Sequence, residues 1–301
     1  MAAENHFNRT RIAPTPSGYL HLGNILSFAI TAKFAAQSGA EILLRIDDFD
    51  RERTNKLYIQ DIFDTLNFLE IPWHAGPKNM HEYVHEYSQV HRTEMYNQGL
   101  QQLKESGEIF ACTCSRTEVS RLSPESIYAG TCRDKHLPLA HTGVSWRIKT
   151  DHHRQLDVRT TNGTVSATIP LNMHDFIVKR RDGLPAYQLI SVLDDIYFGV
   201  DLVARGDDLW PSTVAQHYLA AHLHKSEFSN ITFHHHPLIN DHSGKKLSKS
   251  EGATSVHYLR QEHRTPQDIY HLIARSLNLK EMPGSWQELT GMLPFRYMPT
   301  S

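Results

Sequence analysis

The feature that most constrains this chain is a loop rich in proline and glycine at positions 11–24, which reads R-I-A-P-T-P-S-G-Y-L-H-L-G-N. Residues 10–13 can form a short buried strand, and Pro14, Pro16 and Gly18 predict an extended turn after it. A helix is predicted next, because apolar residues recur at helical spacing up to Gly39: Ile25, Leu26, Phe28, Ala29, Ala32 and Ala36. Such a loop faces backbone N–H groups and the positive end of a helix dipole. The loop is therefore a candidate anion-binding site.

Two residues of this loop can contact a bound phosphate. Gly23 lets a nucleotide approach the backbone closely, and His21 offers a ring N–H donor. Alone, the same residues also fit an ordinary strand–turn–helix in which His21 is a hydrogen-bonded turn residue. A basic segment far downstream, K-K-L-S-K-S at 245–250, favours the phosphate interpretation. Lysines and hydroxyls of this kind bind phosphates well.

The remaining apolar patterns predict an α/β fold. Buried strands are predicted at 41–46, 187–193 and 202–204, and helices at 56–69, 88–105, 213–224 and from Thr265 onward. We expect a doubly wound parallel (Rossmann-type) sheet, an inserted α+β subdomain that contains zinc, and a small helical C-terminal region. The predicted divisions are the first half of the nucleotide-binding domain at 1–74, the insert at 75–183, the second half at 184–240, and the lysine loop with the C-terminal helices at 241–301.

The zinc prediction is based on three cysteines. Cys112 and Cys114 are too close in sequence for a typical structural disulfide, and Tyr128 and Cys132 follow within about twenty residues. This spacing is compact enough for a tetrahedral site formed by Cys112, Cys114, Tyr128 and Cys132. Three unrelated structural cysteines with a core tyrosine, or three thiolates with an unidentified fourth ligand, are the alternatives.

Charge and hydropathy exclude several classes of protein. The formal net charge of −2 does not indicate a broadly basic RNA-binding surface, so any RNA contact must be local. Short basic runs at 179–181 and 245–249 are candidates, although such runs are commonly solvated faces. The sequence contains no run of about 18 apolar residues, so no membrane span is predicted. The first residues also lack the apolar segment of a secretory signal. We expect a cytoplasmic protein without membrane contact, and a monomer.

Two motifs together resemble the signatures of class I aminoacyl-tRNA synthetases. H-L-G-N at 21–24 resembles the first, with Asn24 where many members have a second histidine, and K-L-S-K-S resembles the second. R-I-A-P-T-P-S-G, R-I-D-D, Y-Q-L and R-G-D-D are similar to the glutamyl branch. C-T-C, I-Y-A-G-T-C, D-F-I-V-K-R-R-D-G-L-P-A-Y and the early chain end resemble its short paralogues, the glutamyl-Q tRNA(Asp) synthetases, which lack an anticodon-binding domain.

This resemblance implies roles for individual residues. Arg11 matches the clamp for the glutamate side chain, Asp47 the acid that holds the α-ammonium group, and the remaining glutamate contacts are matched by Ala13, Thr15, Tyr187 and Arg205. ATP would be bound by His21, Gly23, Asn24, Lys246, Ser248 and Lys249, with His21, Lys246 and Lys249 catalytic. Tyr187 could equally be a core residue, and Arg205 could be a strand-end ion pair.

Three positions depart from the glutamyl pattern. Asp47 stands where Glu is usual, which would enlarge or shift the site, Thr15 replaces the commoner Ser, and Ser191 stands where many full-length members have Asn. The identity of the amino acid is therefore less firmly indicated than the reaction class.

The resemblance implies that glutamate is activated with ATP and Mg²⁺ to glutamyl-adenylate and then passed to queuosine in the anticodon loop of tRNA(Asp). The basic run at 179–181 could face that RNA. Other acceptors remain open, as in a truncated glutamyl-tRNA synthetase or a paralogue that charges another molecule. A non-catalytic tRNA-binding module is a further alternative, which the retention of both signature motifs disfavours.

Overall fold

The computed structural model describes residues 6–50, 54–123, 125, 127–239 and 255–294. The chain divides into two compact units, which we describe separately. Unit 1 comprises residues 1–91, 200–207 and 233–301, and unit 2 comprises residues 92–199 and 208–232. No helix among the described residues has the length and apolarity needed to cross a lipid bilayer.

The strands, in chain order, are β1 (Arg9–Ile12), β2 (Glu41–Leu44), β3 (Ile109–Cys112), β4 (Ser145–Ile148), β5 (Leu156–Thr160), β6 (Gly163–Ala167), β7 (Ile177–Lys179), β8 (Leu202–Gly206) and β9 (Thr232–His236). The α-helices are α1 (Leu22–Ser38), α2 (Lys56–Phe68), α3 (Met80–Glu82), α4 (Thr93–Glu105), α5 (Arg116–Leu122), α6 (Tyr187–Tyr197), α7 (Trp210–His222), α8 (Val256–Gln261), α9 (Pro266–Ser276) and α10 (Trp286–Gly291). Tyr83–Tyr87 forms a π-helical turn directly after α3.

Unit 1 contains the predicted parallel sheet. Its strands lie in the order β2-β1-β8-β9, and β1 pairs in parallel with both β2 and β8. A parallel sheet with helices between its strands confirms the predicted α/β class. The first helix also ends where expected, because Gly39 caps α1 in the left-handed region at φ 75° and its N–H donates to Ala35 O.

Three helices follow the lysine segment in unit 1. Thr265 caps α9 with a capping box and Pro266 occupies its first turn, as predicted from these two residues. The Lys33 ammonium on α1 donates to Thr290 O at 2.6 Å, which ties α10 to the first helix.

Unit 2 contains the three-stranded antiparallel sheet β3-β4-β7 and the β5-β6 hairpin, together with α4 to α7. The predicted strand at 187–193 is wrong, because these residues begin helix α6. Eight consecutive residues of α6, from Gln188 to Asp195, are buried. A helix buried on every side has no polar face, so its run of apolar residues cannot be distinguished from a buried strand by periodicity.

A fully buried carboxylate joins α4 to α6 within unit 2. Asp194 is 0% exposed, and it accepts hydrogen bonds from Arg92 Nε at 2.7 Å, Arg92 Nη2 at 3.0 Å and Tyr96 Oη at 2.7 Å. The Arg92 guanidinium also lies over the Phe198 ring at 4.9 Å. A charge in this setting is tolerated because it is paired and hydrogen-bonded.

Strand β9 of unit 1 contains three consecutive histidines. His234 is 4% exposed and contacts the Phe34 ring edge-on, with centroids 4.6 Å apart. Burial, together with the nearby His236 and Lys33, lowers the pKa of His234 to about 4. His234 is therefore neutral in the folded protein at neutral pH.

We expect Asp194→Ala to lower the free energy of unfolding by about 3–5 kcal/mol, because it leaves the Arg92 guanidinium buried without its carboxylate. Asp182→Ala is the matched control, since it removes a carboxylate that pairs with Arg180 at 2.6 Å, where both side chains are partly exposed. Loss of this pair should cost no more than about 1 kcal/mol. Urea denaturation measures both. Equal losses for the two variants would contradict the assignment of Asp194 as a structural anchor.

We expect the stability of the protein to fall as the pH decreases below about 6.5, the ordinary pKa of a histidine in the unfolded chain. Since the folded-state pKa of His234 is lowered to about 4, the unfolded state binds the extra proton between these two values. His234→Leu should remove up to about 1.4 kcal/mol per pH unit from that slope. Urea denaturation from pH 7 to pH 4.5 tests this, with the exposed His263→Asn as control, and an unchanged slope for His234→Leu would refute it.

Candidate active site

The carboxyl ends of β1 and β2 lead into two loops that run side by side. Beyond the strands, the Arg45 N–H donates to Ile12 O at 2.9 Å, and the Asp47 N–H donates to Pro14 O at 3.0 Å. The residues after β2, 45–49, are called the acid loop below. Parallel pairing therefore places the acid loop beside the turn that contains Pro14 and Pro16, called the proline turn below. Both lie at the sheet edge where ligands of α/β proteins bind.

The predicted glutamate residues of unit 1 lie at this same edge. Arg11 in β1 is 6% exposed and Arg205 in β8 is 4% exposed. The β1–β8 register pairs Thr10 with Leu202, and the same offset aligns Ala13 with Arg205. Arg205 lies over the Phe233 ring at 4.8 Å. Two buried guanidinium groups close to the carboxyl ends of neighbouring strands suit the binding of an anionic group.

Asp47 is held by a neighbouring cation. Arg45 donates from Nε to Asp47 Oδ1 at 2.7 Å and from Nη2 to Oδ2 at 3.1 Å, and the two side chains are 2% and 11% exposed. Gln89 Nε2 also donates to Asp47 Oδ1 at 3.3 Å. Asp47 therefore keeps a small exposed surface while its orientation is constrained from two sides.

The predictions did not include the neighbouring acid, Asp48, which is 6% exposed. Its Oδ2 accepts from Tyr83 Oη and Ser88 Oγ at 2.5 Å each, and its Oδ1 accepts from the Gln89 N–H at 2.8 Å. The donors lie about forty residues away in sequence and have no motif of their own. The adjacency of two acids in R-I-D-D was the one available signal, and it did not identify these partners.

His21 is the N-cap residue of α1, and its ring is oriented by that role. The Gly23 N–H donates to His21 Nδ1 at 3.1 Å, so the neutral ring carries its proton on Nε2. The Asn24 side chain completes the capping box by accepting from the His21 N–H at 3.1 Å. A Cβ at position 23 would lie 3.0 Å from His21 Cε1, which explains the glycine. The cap thus uses Nδ1 of His21 and does not use Nε2.

Lys246, Ser248 and Lys249 lie outside the described residues. The chain on either side of them contacts the turn around His21. Ser255 forms an antiparallel β-bridge with His21, and the Val256 N–H donates to Leu20 O at 2.8 Å. Upstream, His236 Nε2 lies 2.7 Å from Ser27 Oγ on α1. Both flanks of the lysine segment are therefore attached close to the first motif.

Two of the residues predicted to contact glutamate, Thr15 and Tyr187, are exposed to solvent. Thr15 is exposed in the proline turn of unit 1, where its carbonyl accepts from the Ser17 N–H at 2.9 Å. Tyr187 begins α6 in unit 2 and is 44% exposed, so it is not a core residue. Ser191, one turn further along α6, is 1% exposed, and its Oγ has no hydrogen-bond partner in the described part of the chain.

The three cysteines of unit 2 converge. The sulfurs of Cys112, Cys114 and Cys132 all lie within 4.8 Å of one another, and those of Cys114 and Cys132 are 3.6 Å apart. Tyr128 Oη lies 3.6 Å from Cys112 Sγ and accepts from the Cys132 N–H at 2.8 Å. Zn–S bonds of about 2.3 Å place tetrahedral sulfurs roughly 3.8 Å apart, so this donor set fits a zinc ion.

The surroundings of the cysteines shift the pKa values of Cys114 and Cys132 in opposite directions. Burial and hydrogen bonding to Cys132 raise the pKa of the Cys114 thiol to about 12. Burial alone would also raise the pKa of Cys132, but hydrogen bonds from the Thr113 backbone and Cys114 lower it to about 7. The buried Arg147 guanidinium lies 3.6 Å from the centre of the Tyr128 ring. A positive charge at this point favours an anionic metal–thiolate cluster.

The basic run at 179–181 is attached to the same region of unit 2. Arg181 donates to Thr113 O between Cys112 and Cys114, Arg180 pairs with Asp182 at 2.6 Å, and the Lys179 ammonium lies 4.1 Å from the Trp146 ring centre. The contact of Arg181 holds the end of the basic run against Thr113, between Cys112 and Cys114.

Comparison with known proteins places this geometry in a family. Residues 8–281 match the catalytic domain of the class I (E and Q) tRNA synthetases. Proteins named Glutamyl-Q tRNA(Asp) synthetase from Synechococcus sp. (strain CC9605) and Nocardia farcinica (strain IFM 10152) are 34% and 32% identical, over 90% and 91% of this chain and 83% and 86% of their own lengths. Glutamate–tRNA ligase of Anaeromyxobacter sp. (strain K) is 31% identical over 89% of this chain, which spans 57% of that ligase.

Solved structures agree on the fold. The glutamate tRNA ligase from Elizabethkingia meningosepticum CCUG26117 superposes with a TM-score of 0.71 at 22% identity, covering 94% of this chain and 64% of the ligase. The enzyme from Elizabethkingia anophelis gives a TM-score of 0.72 at the same identity. From the match over residues 8–281 and these relatives, the chain belongs to the class I (E and Q) tRNA synthetase family and contains its catalytic domain.

Proposed function

We propose that this enzyme activates glutamate with ATP and transfers the glutamyl group to queuosine in the anticodon loop of tRNA(Asp). The observation that carries the proposal is the grouping of Arg11, Asp47 and Arg205 at one sheet edge, beside the His21 cap. This edge offers cations for a side-chain carboxylate, an anion for an α-ammonium group, and a helix N-terminus for phosphates.

In the first step, an oxygen of the glutamate α-carboxylate attacks the α-phosphorus of ATP. The bond from that phosphorus to the bridging oxygen breaks, and pyrophosphate leaves with the electron pair. Arg11 and Arg205 would hold the substrate side chain, with Ala13, Thr15 and Tyr187 as further contacts, while Asp47 would hold the ammonium group. Arginine can bind a carboxylate with two parallel hydrogen bonds, which favours glutamate over glutamine.

The phosphates would lie at the N-terminus of α1. We propose that His21 Nε2, Gly23 and Asn24 act there together with Lys246, Ser248 and Lys249, and that Mg²⁺ accompanies the ATP. The protein positions the reactants and stabilises the negative charge that develops on the phosphorus and the leaving group. The attachment of Ser255 to His21 supports a joint action of the two motifs, since it fixes where the lysine segment rejoins the fold.

In the second step, a hydroxyl of the acceptor attacks the glutamyl carbonyl and AMP leaves. Support for queuosine as the acceptor comes from the relatives named Glutamyl-Q tRNA(Asp) synthetase, which are 34% and 32% identical to this chain. The basic run at 179–181 is a candidate contact for the anticodon loop, whose unpaired bases a protein can reach.

We expect exchange of pyrophosphate into ATP with glutamate, but not with glutamine or aspartate, in the absence of RNA. Radiolabelled glutamate should then attach to tRNA(Asp) that carries queuosine, and not to the same tRNA with guanosine at that position. The control is tRNA(Glu). Attachment to tRNA(Glu) instead would identify a glutamyl-tRNA synthetase, and exchange with none of the three amino acids, both without and with added tRNA, would refute the activation step.

We also propose that Cys112, Cys114, Cys132 and Tyr128 hold a structural zinc ion, as their spacing and geometry allow. When bound, the ion would cross-link β3 to the loop that contains Cys132. In this proposal the ion supports the fold of unit 2 and takes no direct part in the reaction.

We expect one zinc ion per chain by elemental analysis, and its loss in Cys132→Ser together with a lower melting temperature. Tyr128→Phe should weaken zinc binding by at least about tenfold in competition with a chromophoric chelator, since even outer partners of metal sites have effects of this size. Tyr218→Phe is the matched control, because its hydroxyl also makes hydrogen bonds in unit 2, at 2.9 and 3.0 Å. Equal zinc affinity in the two variants would exclude Tyr128 as the fourth ligand.

A further inference from the structure

The segment 83–89 is bound along the acid loop of unit 1. The π-helical turn at Tyr83–Tyr87 carries one extra residue compared with an α-helical turn, and it lets Tyr83 and Ser88 reach the same oxygen of Asp48. The Gln89 N–H binds the other oxygen at 2.8 Å. π-Turns are rare and Asp48 is buried. The contacts at Asp48 therefore hold segment 83–89 and the acid loop together in one defined arrangement.

The Gln89 side chain continues the attachment on both sides of Asp48. Its Oε1 accepts from the Phe49 N–H at 2.8 Å, and its Nε2 donates to Asp47 Oδ1 at 3.3 Å. Gln89 is 1% exposed. An N–H needs an acceptor and a carboxylate needs a donor, so the amide can satisfy both partners in one orientation only. One side chain therefore spans the residues on either side of Asp48.

The support of the acid loop by Gln89 bears directly on Asp47. Its side chain is one methylene shorter than that of a glutamate, so the position of its carboxylate follows the backbone of the acid loop closely. Arg45 holds both oxygens from one side, at 2.7 and 3.1 Å, while Gln89 reaches Oδ1 from a different segment. The Asp47 side chain is 11% exposed, so part of it remains open to solvent, and a carboxylate can accept hydrogen bonds from an ammonium group.

We propose that Gln89 is a positioning residue of the amino-acid site, which holds Asp47 in the orientation that receives the α-ammonium group of the substrate. This inference rests on the proposed function, because it gives meaning to the orientation of Asp47. Gln89 does not touch the substrate. It acts through Asp47 and through the Phe49 N–H, and it thereby sets the affinity for the amino acid and not for ATP.

The test is glutamate-dependent pyrophosphate exchange by the full chain carrying Gln89→Met. Methionine fills a similar volume but makes neither hydrogen bond. We expect KM for glutamate to rise about 10-fold to 100-fold, the range for losing a hydrogen bond to a charged group, with KM for ATP within about twofold of wild type. An unchanged KM for glutamate would overturn the proposal. A purely structural role would lower the melting temperature and leave both KM values unchanged.

Gln89→Glu separates the two hydrogen bonds and guards against a variant that fails to fold. The introduced carboxyl group can still accept from the Phe49 N–H, but it can donate to Asp47 only when it is protonated. The ratio of variant to wild-type KM for glutamate should therefore approach one at low pH and depart from one as the two carboxylates compete for a proton at higher pH. A ratio that stays constant from pH 5.5 to pH 8 would also overturn the proposal.

Gln60 provides the matched control. Its Nε2 donates to Asp64 Oδ1 at 2.9 Å on the exposed face of α2, so Gln60→Met and Gln60→Glu remove the same kind of bond elsewhere. Both should leave the two KM values and their pH dependence unchanged. A change in KM for glutamate as large as that of the Gln89 variants would count against a specific role for Gln89.

Asp47→Asn distinguishes failure of this inference from failure of the proposed function. If Asp47→Asn raises KM for glutamate and Gln89→Met does not, the positioning role is wrong while the substrate assignment stands. If Asp47→Asn leaves KM for glutamate unchanged, the assignment of Asp47 itself fails, and the positioning role fails with it.

Discussion

The parallel alignment of β1 with β2 and β8 determines where the candidate site of unit 1 can form. Parallel strands end at a common edge, so residues that follow them are neighbours although they lie far apart in sequence. Hydrogen bonds from the Arg45 and Asp47 N–H groups extend this alignment past the strands into the loops. The polar side chains at this edge are therefore positioned by backbone pairing first and by their own contacts second.

The acidic and basic side chains at this edge lie in different local environments. Arg11 and Arg205 are buried in strands, where moving a charge out of water is costly unless a partner compensates it. Asp47 is compensated locally by Arg45, whereas Asp48 receives three neutral donors. Two adjacent carboxylates thus have different environments, and the one paired with arginine is the less deeply buried of the two.

Much of the fold follows from local patterns in the sequence. The loop at 11–24, the end of α1 at Gly39 and the start of α9 at Thr265 are signalled by residues with a direct backbone role, and the structure confirms them. The strand predicted at 187–193 was wrong because burial on all sides of α6 removes the polar face that marks a helix. The assignment of the cysteines as a cluster was also readable from spacing, since they lie within one short segment.

The contacts that orient the candidate site residues could not be predicted from the sequence. Asp48, Gln89 and Tyr83 meet through a π-helical turn, which has no established sequence signature, and their partners lie some forty residues away. Likewise, the bridge between His21 and Ser255 joins residues more than two hundred positions apart. Sequence patterns indicate candidate site residues, whereas these long-range contacts decide how those residues are oriented.

The capping role of His21 has a consequence for the evolution of this loop. One ring nitrogen caps the first helix, and under the proposed function the other donates to the ATP phosphates, so the same imidazole would serve both folding and chemistry. A replacement that caps a helix well, such as serine or asparagine, would preserve the helix and lose the donor. Drift at this position is thus restricted twice, and a descendant that abandoned the reaction would still be under pressure to keep a capping residue here.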